Sequence, residues 1–474
     1  EQWFFKSRIT FADYADYRVP VDSVTINSYR VPLKDHRLRN TAGSEFNAHL
    51  SVGIAEKRAS SVTHFSNIHS RSGFFANAQG LSPVTADSSY DRSFRDIQLP
   101  WQWVNHFKVV NNTVFYTGKV KTELEAGYQN NLRREYTLYV GHGYMPPVFP
   151  ETPGISSELS REYRKNTFSL NLKSSFPWKE NVRINAGVTA EGQLNRIGGW
   201  DFMIPSFDQW LVGGFILGQR PLGRNFTVQA GLRYDYGSVL ISPYSDWFTT
   251  PEVSGGDTTW IYAQRASQLF RRFGSFSWSA GIVYSLGKTL VKINAGKSFR
   301  MPLPKELAVN GVNYHYFIYE KGNPDLDPEV SYQLDAGLEW RNDRMSISVS
   351  PFVNYFPNYI YLNPGYEHDY TNGAGNQIYN YVQAEVFRTG GEFQIHYHFS
   401  DRWMTGVAAE YIWSRQLSGE KQGYTLPFSP PFSTILQGKL TPSCVHFLHQ
   451  PFISADITLT APQNEIVPPE LKTP

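Results

Sequence analysis

The sequence contains one cysteine and lacks any long apolar run. The single Cys444 excludes an internal disulfide and a cysteine-based metal cluster. A membrane-spanning helix needs about 20 consecutive apolar residues, and the longest apolar stretch, Trp210 to Gly218, is under half that length. Mean hydropathy is negative, at −0.40. These absences exclude a membrane protein built of helices.

An excess of charge of one sign is also absent, as are the spacings of familiar catalytic motifs. The chain has 44 Lys and Arg residues against 42 Asp and Glu residues, a net charge of +2, so no nucleic-acid partner is predicted. No nucleophile elbow, HExxH or P-loop spacing occurs. We therefore expect a protein that is not an enzyme and has no intrinsic cofactor, with an outer-membrane hydrolase as the alternative.

What the sequence does contain is a repeated alternation of apolar and polar residues. Successive side chains of a strand point to opposite faces of a sheet, so each such segment has one apolar and one polar face. Around a closed sheet, apolar outside and polar inside describe a transmembrane β-barrel. The clearest apolar series are Val182, Ile184, Ala186, Val188 and Ala190, then Val228, Ala230, Leu232, Tyr234 and Tyr236, and then Tyr332, Leu334, Ala336, Leu338 and Trp340.

Short turns alternate with long loops along the chain, as they do in such barrels. Tight turns are predicted at Glu56-Lys57-Arg58, Gly118-Lys119, Lys179-Glu180-Asn181, Leu222-Gly223-Arg224-Asn225, Leu286-Gly287-Lys288, Arg341-Asn342-Asp343, Ser400-Asp401-Arg402 and Thr441-Pro442-Ser443. Long loops are predicted at 71–100, 140–157, 193–207, 241–271, 301–328, 358–380 and 414–432. The fold class predicted is an all-β transmembrane antiparallel barrel of the large plugged type, with about 22 strands.

Aromatic and glycine positions support the same architecture. Trp101, Trp103 and Phe107 share one face beside a long loop, as an interfacial aromatic girdle would. Glycines on the polar faces of strands suggest either an object against the inner wall or curvature of the barrel. These glycines are Gly127, Gly187, Gly231, Gly281, Gly296 and Gly337. A passive porin remains the alternative from another functional class.

The segment from Asn294 to Trp340 carries two motifs and resembles the barrel of TonB-dependent outer-membrane receptors. The first box reads Phe299-Arg300-Met301-Pro302, and the second reads Asn323-Pro324-Asp325-Leu326 followed by Pro328-Glu329. Proline cannot donate a ladder hydrogen bond and so ends or opens a strand. We expect the box residues to form scaffold. They are Phe299, Arg300, Pro302, Asn323, Pro324, Leu326, Pro328 and Glu329.

The resemblance implies a location and an energy source. It places the protein in the outer membrane of a Gram-negative bacterium, in contact with outer-membrane lipids, where it would import a scarce metal complex. The energy would come from the TonB-ExbB-ExbD system acting on a plug domain. No plug sequence is recognised, so residues 1–474 are expected to be the barrel domain of a longer protein, without the plug domain and the final strands.

The cargo implied is an iron complex, either a ferric siderophore or haem, bound at the extracellular loops. Haem receptors of this family carry a His between the two boxes, where this chain has His315, although Met301 departs from their usual Ala. The predicted binding residues are His142, Tyr144, Tyr314, His315, Tyr316, Tyr366 and His368. Aromatic loops suit an aryl siderophore equally well, and zinc, cobalamin or another cargo stays open. His396 and His398, two residues apart on one strand face, are a further candidate for metal binding.

Overall fold

The computed structural model describes residues 2–26, 29–75, 93–151, 154–179, 181–313, 316–372, 375–442 and 451–470. Strands dominate these residues. In chain order the elements are β1 (Gln2–Tyr14), β2 (Tyr17–Arg18), β3 (Ser23–Ile26), β4 (Tyr29–Pro32), a 3-10 turn (Lys34–His36), β5 (Arg37–Leu38), β6 (Gly43–Ala55), β7 (Ala59–Gly73), β8 (Trp101–Thr117), β9 (Val120–Tyr136), β10 (Leu159–Lys179), β11 (Val182–Gly198), β12 (Phe207–Leu222), β13 (Phe226–Ile241), β14 (Tyr244–Ser254), β15 (Asp257–Ala266), β16 (Leu269–Leu286), β17 (Thr289–Arg300), α1 (Pro304–Ala308), β18 (Asn310–Asn313), β19 (Ile318–Lys321), β20 (Glu329–Arg341), β21 (Met345–Asp369), β22 (Asn376–His398), β23 (Trp403–Gln416), β24 (Ser433–Leu440) and β25 (Ile453–Thr460).

Among the described residues, one sheet of nineteen strands forms the wall of the molecule and the short hairpin attached to it. Its long strands pair in chain order, each antiparallel to the next, from β6 through β13 and from β16 onward through β17 and β20 to β25. The first strand, β1, pairs with β6. The short β18 and β19 form a hairpin, and β19 joins the sheet by a parallel pairing with β22. This arrangement confirms the predicted antiparallel barrel class.

The two faces of the wall differ in the way that the two-residue period predicts. On β13, Leu232 is 61% exposed, whereas Asp235 on the opposite face is only 6% exposed. Trp210, Ile216 and Phe276 are likewise large, apolar and exposed on neighbouring strands. A continuous apolar face open to the surroundings, with polar groups turned inward, is the pattern of a sheet solvated by lipid.

The tight turns are confirmed at seven of the eight predicted places. Each of these seven falls directly between two consecutive strands, as at Gly118 and Lys119 between β8 and β9. The eighth prediction, Thr441-Pro442-Ser443, follows the end of β24 at Leu440. Its last residue, Ser443, lies outside the described residues, so this turn stays a prediction.

Two of the predicted loops contain much more strand than expected. Residues 241–271 hold the hairpin of β14 and β15. Most of 358–380 is also strand, because β21 runs to Asp369 and β22 starts at Asn376. The prolines of β21 indicated a loop, but the strand continues beyond them. Its pairing with β22 shifts register near the prolines, between Phe356 and Tyr359 and between Pro364 and His368. Such irregularities let a strand continue where proline removes a ladder hydrogen bond.

The main apolar core lies where these long strands meet α1 at the loop end of the sheet. Val239 and Ile241 of β13 are fully buried there and pack with Leu307 of α1 and with Leu326. Met301 completes the contact, since its sulfur occupies the space where a side chain at Gly237 would stand. The core therefore ties the two sequence boxes to the end of the sheet.

Two further observations concern the wall itself. At Gly187, an added Cβ would lie 2.7 Å from the Phe215 ring and 2.5 Å from the Leu172 carbonyl oxygen. Neighbouring wall atoms thus occupy this inward position. Across the described residues, no helix has the length and apolar character needed to cross a membrane.

Candidate functional site

The first sequence box is joined to the second by a bridging arginine. Arg300, at the end of β17, contacts both carboxylate oxygens of Glu306 through Nη1, at 3.0 and 2.8 Å. Its Nη2 donates to Oε2 of Glu329, at 3.1 Å. Glu306 also accepts the backbone N–H of Leu303 at 2.7 Å, which fixes the first turn of α1. One planar guanidinium therefore holds the strand end, the helix and the start of β20 together.

The second box is held by backbone contacts and by burial. The Asn323 side chain accepts the N–H of Asp325 at 2.9 Å, in the local pattern of an Asx turn. Leu326 is buried in the core described above. Arg271 of β16 donates to the carbonyl oxygens of Pro324 and Leu326. Pro328 accepts a hydrogen bond from the side chain of Asn358 on β21.

At the loop end, an aromatic cluster joins the connection 137–158, Trp200 and Trp247 of β14. Tyr139 and Phe149, from the connection 137–158, have ring centroids 5.1 Å apart. Trp200 lies 5.1 Å from Tyr139, and Trp247 of β14 lies 5.4 Å from Phe149. The indole N–H of Trp247 donates to the Trp200 carbonyl at 2.7 Å. Edge-to-face packing with satisfied indole groups gives this cluster one geometry.

Buried ion pairs extend the same framework to the loop between the boxes. Arg161 of β10 binds Asp201 at 2.6 Å and donates to the Val312 carbonyl of β18 at 2.7 Å. Arg265 of β15 pairs with Asp246 at 3.3 Å, and their side chains are only 7% and 2% exposed. A charge so deeply buried needs its partner. Arg265 also donates to the Asn310 carbonyl oxygen, and this hydrogen bond joins the hairpin of β14 and β15 to the loop 301–328.

Burial also shifts the pKa values of groups in this framework. It raises the pKa of Tyr319 to about 12. Tyr319 donates to Oδ1 of Asn310 at 2.8 Å and accepts from Arg265 at 3.0 Å. Burial likewise raises the pKa of Asp246, while the Arg265 guanidinium opposes that shift.

The three loop segments that the sequence singled out for binding meet at the loop end. Gly143, in 137–158, lies so close to the hairpin tip that an added Cβ would be 1.9 Å from the Thr371 carbonyl oxygen. From the other side, β19 pairs with β22, and Asn376 donates to the Phe317 carbonyl at 3.0 Å. The tip of the β21–β22 hairpin thus lies between the other two segments.

Large aromatic side chains are exposed around this meeting point. Tyr144 and Trp260 form an edge-to-face pair with ring centroids 6.4 Å apart. Tyr366 is 69% exposed, and the Lys421 ammonium lies 4.9 Å from its ring centroid. His368 and Tyr370 follow on the same strand and its end, with rings 6.5 Å apart. Tyr316 is 73% exposed. This set of residues, Tyr144, Trp260, Tyr316, Tyr366, His368 and Tyr370, is called the aromatic mouth below.

The remaining predicted residues are placed as follows. Tyr314 and His315 lie outside the described residues. His142 is half-buried in the connection 137–158, and its Nδ1 atom is enclosed with no hydrogen-bond partner among the residues that the structure describes. His396 and His398 lie on one face of β22. Within the described ranges, no group of three or more His, Cys, Asp or Glu side chains is arranged to hold a metal ion.

Sequence reasoning missed Trp260 and the whole hairpin that carries it. A usable signal was present, because Gly255-Gly256 stands between two segments rich in Thr, Tyr and Trp, and Gly-Gly is a hairpin turn dipeptide. Both glycines have positive φ, 62° and 93°. The buried pairs of Arg161 and Arg265 carry no such local signal.

Comparison with known proteins identifies the class. The family description "TonB dependent receptor-like, beta-barrel" matches residues 5–443. The chain therefore belongs to the TonB-dependent receptor family. Barrels of this family are outer-membrane proteins of Gram-negative bacteria that act as transporters and receptors.

Solved structures of similar fold come from several kinds of receptor. The copper transporter OprC is 14% identical with a TM-score of 0.68, and the match covers 98% of this chain and 63% of that one. The FrpB iron transporter of Neisseria meningitidis is 12% identical with a TM-score of 0.62, and the match covers 94% of this chain and 63% of that one. The third structure is the hemophore receptor HasR of Serratia marcescens, solved with its hemophore HasA and heme. It is 13% identical with a TM-score of 0.60, and the match covers 92% of this chain and 66% of that one. The chain thus spans less than two thirds of these proteins, and the similarity shows the fold.

Proposed function

We propose that the protein is an active transporter of the outer membrane that captures an iron complex, a ferric siderophore or haem, at its aromatic mouth. The observation that carries this proposal is the convergence of three loop segments on the hairpin tip, with Tyr144, Trp260 and Tyr366 exposed around it. The segments are joined by the parallel pairing of β19 with β22, by the hydrogen bond from Asn376 to the Phe317 carbonyl oxygen and by the close approach of Gly143 to Thr371, so the rings form a fixed surface. A fixed surface binds a ligand without first having to be ordered.

The chemistry of the mouth suits a flat or aryl chelate. Tyrosine and tryptophan offer large contact areas at low cost in side-chain entropy. Lys421 beside Tyr366 supplies a positive charge that attracts an anionic complex. A siderophore already saturates its iron, so binding would depend on the rings and the charge. Haem has an open axial position, which a neutral imidazole fills.

We further propose scaffold roles for both boxes. Arg300 holds α1 against β20, and Leu326 anchors the second box in the core. These contacts support the loop that leads to Tyr316 without placing the box side chains in the mouth. Substitution at Arg300 is expected to weaken binding only by loosening that loop.

Titration of the full-length receptor tests the cargo assignment. Haem and a set of ferric siderophores would each be added to the purified receptor, with binding followed by fluorescence quenching. For haem, His315→Ala should change the Soret spectrum of the complex, because an axial ligand is lost. For a siderophore, His315→Ala should have little effect, while Tyr366→Ala should weaken binding about tenfold. Tight binding of copper, zinc or cobalamin alone would contradict the iron assignment and leave the transporter proposal standing.

Energy coupling is tested separately in cells. Uptake of the identified cargo should be lost when TonB, ExbB or ExbD is deleted, whereas surface binding should remain. Uptake that persists without TonB would instead support a passive channel.

A further inference from the structure

Two histidines face the interior of the barrel at its turn end, the end of the sheet where short turns join consecutive strands. They are His396 and His398 of β22, close to the turn that leads into β23. Residues two apart on a strand, and residues directly paired across a sheet, point to the same side. The exposed residues Phe393, Trp403 and Tyr411 mark the outward face of these two strands. The histidines have the opposite parity and therefore lie on the inward face.

Two further side chains with metal-binding atoms share this face. His398 is directly opposite Met404 of β23, and His396 is directly opposite Gly406. Gly406 is in turn directly opposite Gln437 of β24. Directly opposite residues have Cβ atoms about 4.5–5.5 Å apart, so two imidazoles, one thioether sulfur and one amide oxygen are close neighbours. The residues His396, His398, Met404 and Gln437 are called the turn-end site below.

Gly406 leaves open the space in which these side chains converge. An added Cβ at this position would lie 2.7 Å from Cδ2 and 3.2 Å from Nε2 of His396. The same Cβ would lie 3.0 Å from Oε1 of Gln437. An imidazole nitrogen and an amide oxygen thus approach one point above the glycine from two different strands. Any larger residue at this position would displace them.

Other histidines of the wall are used differently. Both ring nitrogens of His49 contact serine hydroxyls, at 2.8 and 2.7 Å. Both ring nitrogens of His106 contact side-chain amides, at 3.2 and 3.0 Å. Within the part of the chain that the structure describes, His396 and His398 have no such partners. Their nitrogens are therefore available to a ligand, whereas those of His49 and His106 join neighbouring strands.

Carboxylates do not belong to the turn-end site. Glu392, the nearest acid on this face of β22, lies four residues before His396, and Glu410 is its direct partner on β23. Asp456 is opposite Gln437 but lies on β25, three strands from β22. Hard cations such as calcium and magnesium prefer carboxylate and carbonyl oxygens. A thioether selects monovalent copper, and imidazole also suits copper.

A lysine beside the site favours an ion of low charge. Lys439 of β24 is directly opposite Met404. Its ammonium lies 4.9 Å from the ring centroid of Phe452, just before β25. Repulsion between this ammonium and a bound metal ion increases with the charge of the ion, so a monovalent ion is repelled less than a divalent one.

We propose that the turn-end site binds a monovalent copper ion through the imidazoles of His396 and His398 and the sulfur of Met404, with the amide oxygen of Gln437 beside them. This inference goes beyond the proposed function. The site lies at the opposite end of the sheet from the aromatic mouth, and it requires neither a siderophore nor haem as cargo.

Competition with the chromophoric chelator bathocuproine disulfonate measures the affinity for Cu(I), with the untagged full-length receptor under anaerobic, reducing conditions. His396→Gln/His398→Gln should weaken Cu(I) binding at least about a hundredfold, and Met404→Leu at least about tenfold. Zinc binding should change by less than about twofold in Met404→Leu, because thioether sulfur is not among the usual zinc ligands. X-ray absorption should show a copper–sulfur contact in wild type that Met404→Leu lacks. His106→Gln is the matched control and should bind Cu(I) like wild type.

A pair of alanine variants tests the geometry without removing a ligand. Gly406→Ala places a Cβ against the His396 imidazole and should weaken Cu(I) binding at least about tenfold. The control is Gly438→Ala on β24, where an added Cβ would meet only the Ala455 carbonyl oxygen, at 4.0 Å. This variant should bind like wild type. Equal affinity in the two variants would contradict the described convergence above Gly406.

A second background excludes a different copper site. Cys444, His446 and His449 lie outside the described residues but carry metal-ligand side chains, so the titrations are repeated in Cys444→Ser/His446→Asn/His449→Asn. Cu(I) binding should persist there. The proposal is overturned by loss of binding in this background, by equal affinity of wild type and the double histidine variant, or by an X-ray absorption spectrum without sulfur.

Cargo titration separates this proposal from the previous one. The double histidine variant leaves the aromatic mouth unchanged, so its affinity for the iron complex should equal that of wild type. A receptor that binds copper at the turn end but no iron complex would refute the proposed cargo alone. A receptor that binds the iron complex but shows no copper binding dependent on His396 and His398 would refute the turn-end site alone.

Discussion

Strands β8 and β9 are joined at the turn end by Gly118 and Lys119 alone, whereas at the loop end β9 and β10 are separated by residues 137–158. The short turn touches little, and an added Cβ at Gly118 would meet no atom within 4 Å. The long connection packs on Trp200 and Trp247 and meets the hairpin tip at Thr371. The connections at the two ends of the sheet thus differ in their contacts: the short turn makes few, and the long connection packs against other segments.

The difference shows where tertiary contacts are concentrated. At the turn end, local turn geometry is sufficient to join two strands whose pairing is already fixed by the sheet. At the loop end, buried ion pairs and a core of Val239, Ile241 and Leu326 hold segments that are far apart in the sequence. Substitutions at the loop end should therefore cost more stability than comparable substitutions at the turn end, and only they should disturb the mouth.

The largest effect is expected from Arg265→Met. The change leaves the carboxyl group of Asp246, which is almost fully buried, without its counter-charge, at a cost of about 3–5 kcal/mol. The measurement is urea unfolding of the receptor in detergent micelles, followed by tryptophan fluorescence. The double variant Arg265→Met/Asp246→Leu should regain most of the loss, because it removes both charges. If single and double variants unfold alike, the pair does not stabilise the loop end as described.

A smaller effect is expected from Leu326→Ala in the second box. The side chain is 1% exposed and packs in the main core, so its truncation should destabilise by about 2–4 kcal/mol. The matched control is Leu222→Ala at the turn end, where the side chain is exposed and the change should be within about 0.5 kcal/mol. The same unfolding assay compares the two, and equal losses would remove the distinction between the ends.

The smallest effect is expected from Gly118→Ala. Gly118 has φ of 61° and open space around it, so alanine meets backbone strain of about 1 kcal/mol and no clash. Gly118→Asn should lose less stability than Gly118→Ala, because asparagine adopts this backbone conformation more readily than alanine does. A large loss of stability in both variants would contradict the open surroundings of this turn.

Much of the wall could be predicted from the sequence because its signals are local. The alternation of Leu232, Tyr234 and Tyr236 with polar residues is visible within a few positions, and Gly118 marks its turn directly. The loop end could not be predicted in this way, because Arg265 meets Asn310 and Gly143 meets Thr371 across long separations. Tyr366 and His368 were expected in a loop but lie on β21, whose bulges accommodate its prolines.

The central claim is that the mouth forms where the connection 137–158 meets the hairpin tip. Gly143 and Gly118 have nearly the same φ, 59° and 61°, but only at Gly143 would a Cβ clash, 1.9 Å from the Thr371 oxygen. The decisive measurement is therefore equilibrium titration of the full-length receptor with its iron complex in both alanine variants. We predict that Gly143→Ala weakens binding at least about tenfold, while Gly118→Ala stays within about twofold of wild type. Equal affinity in the two variants would contradict the account.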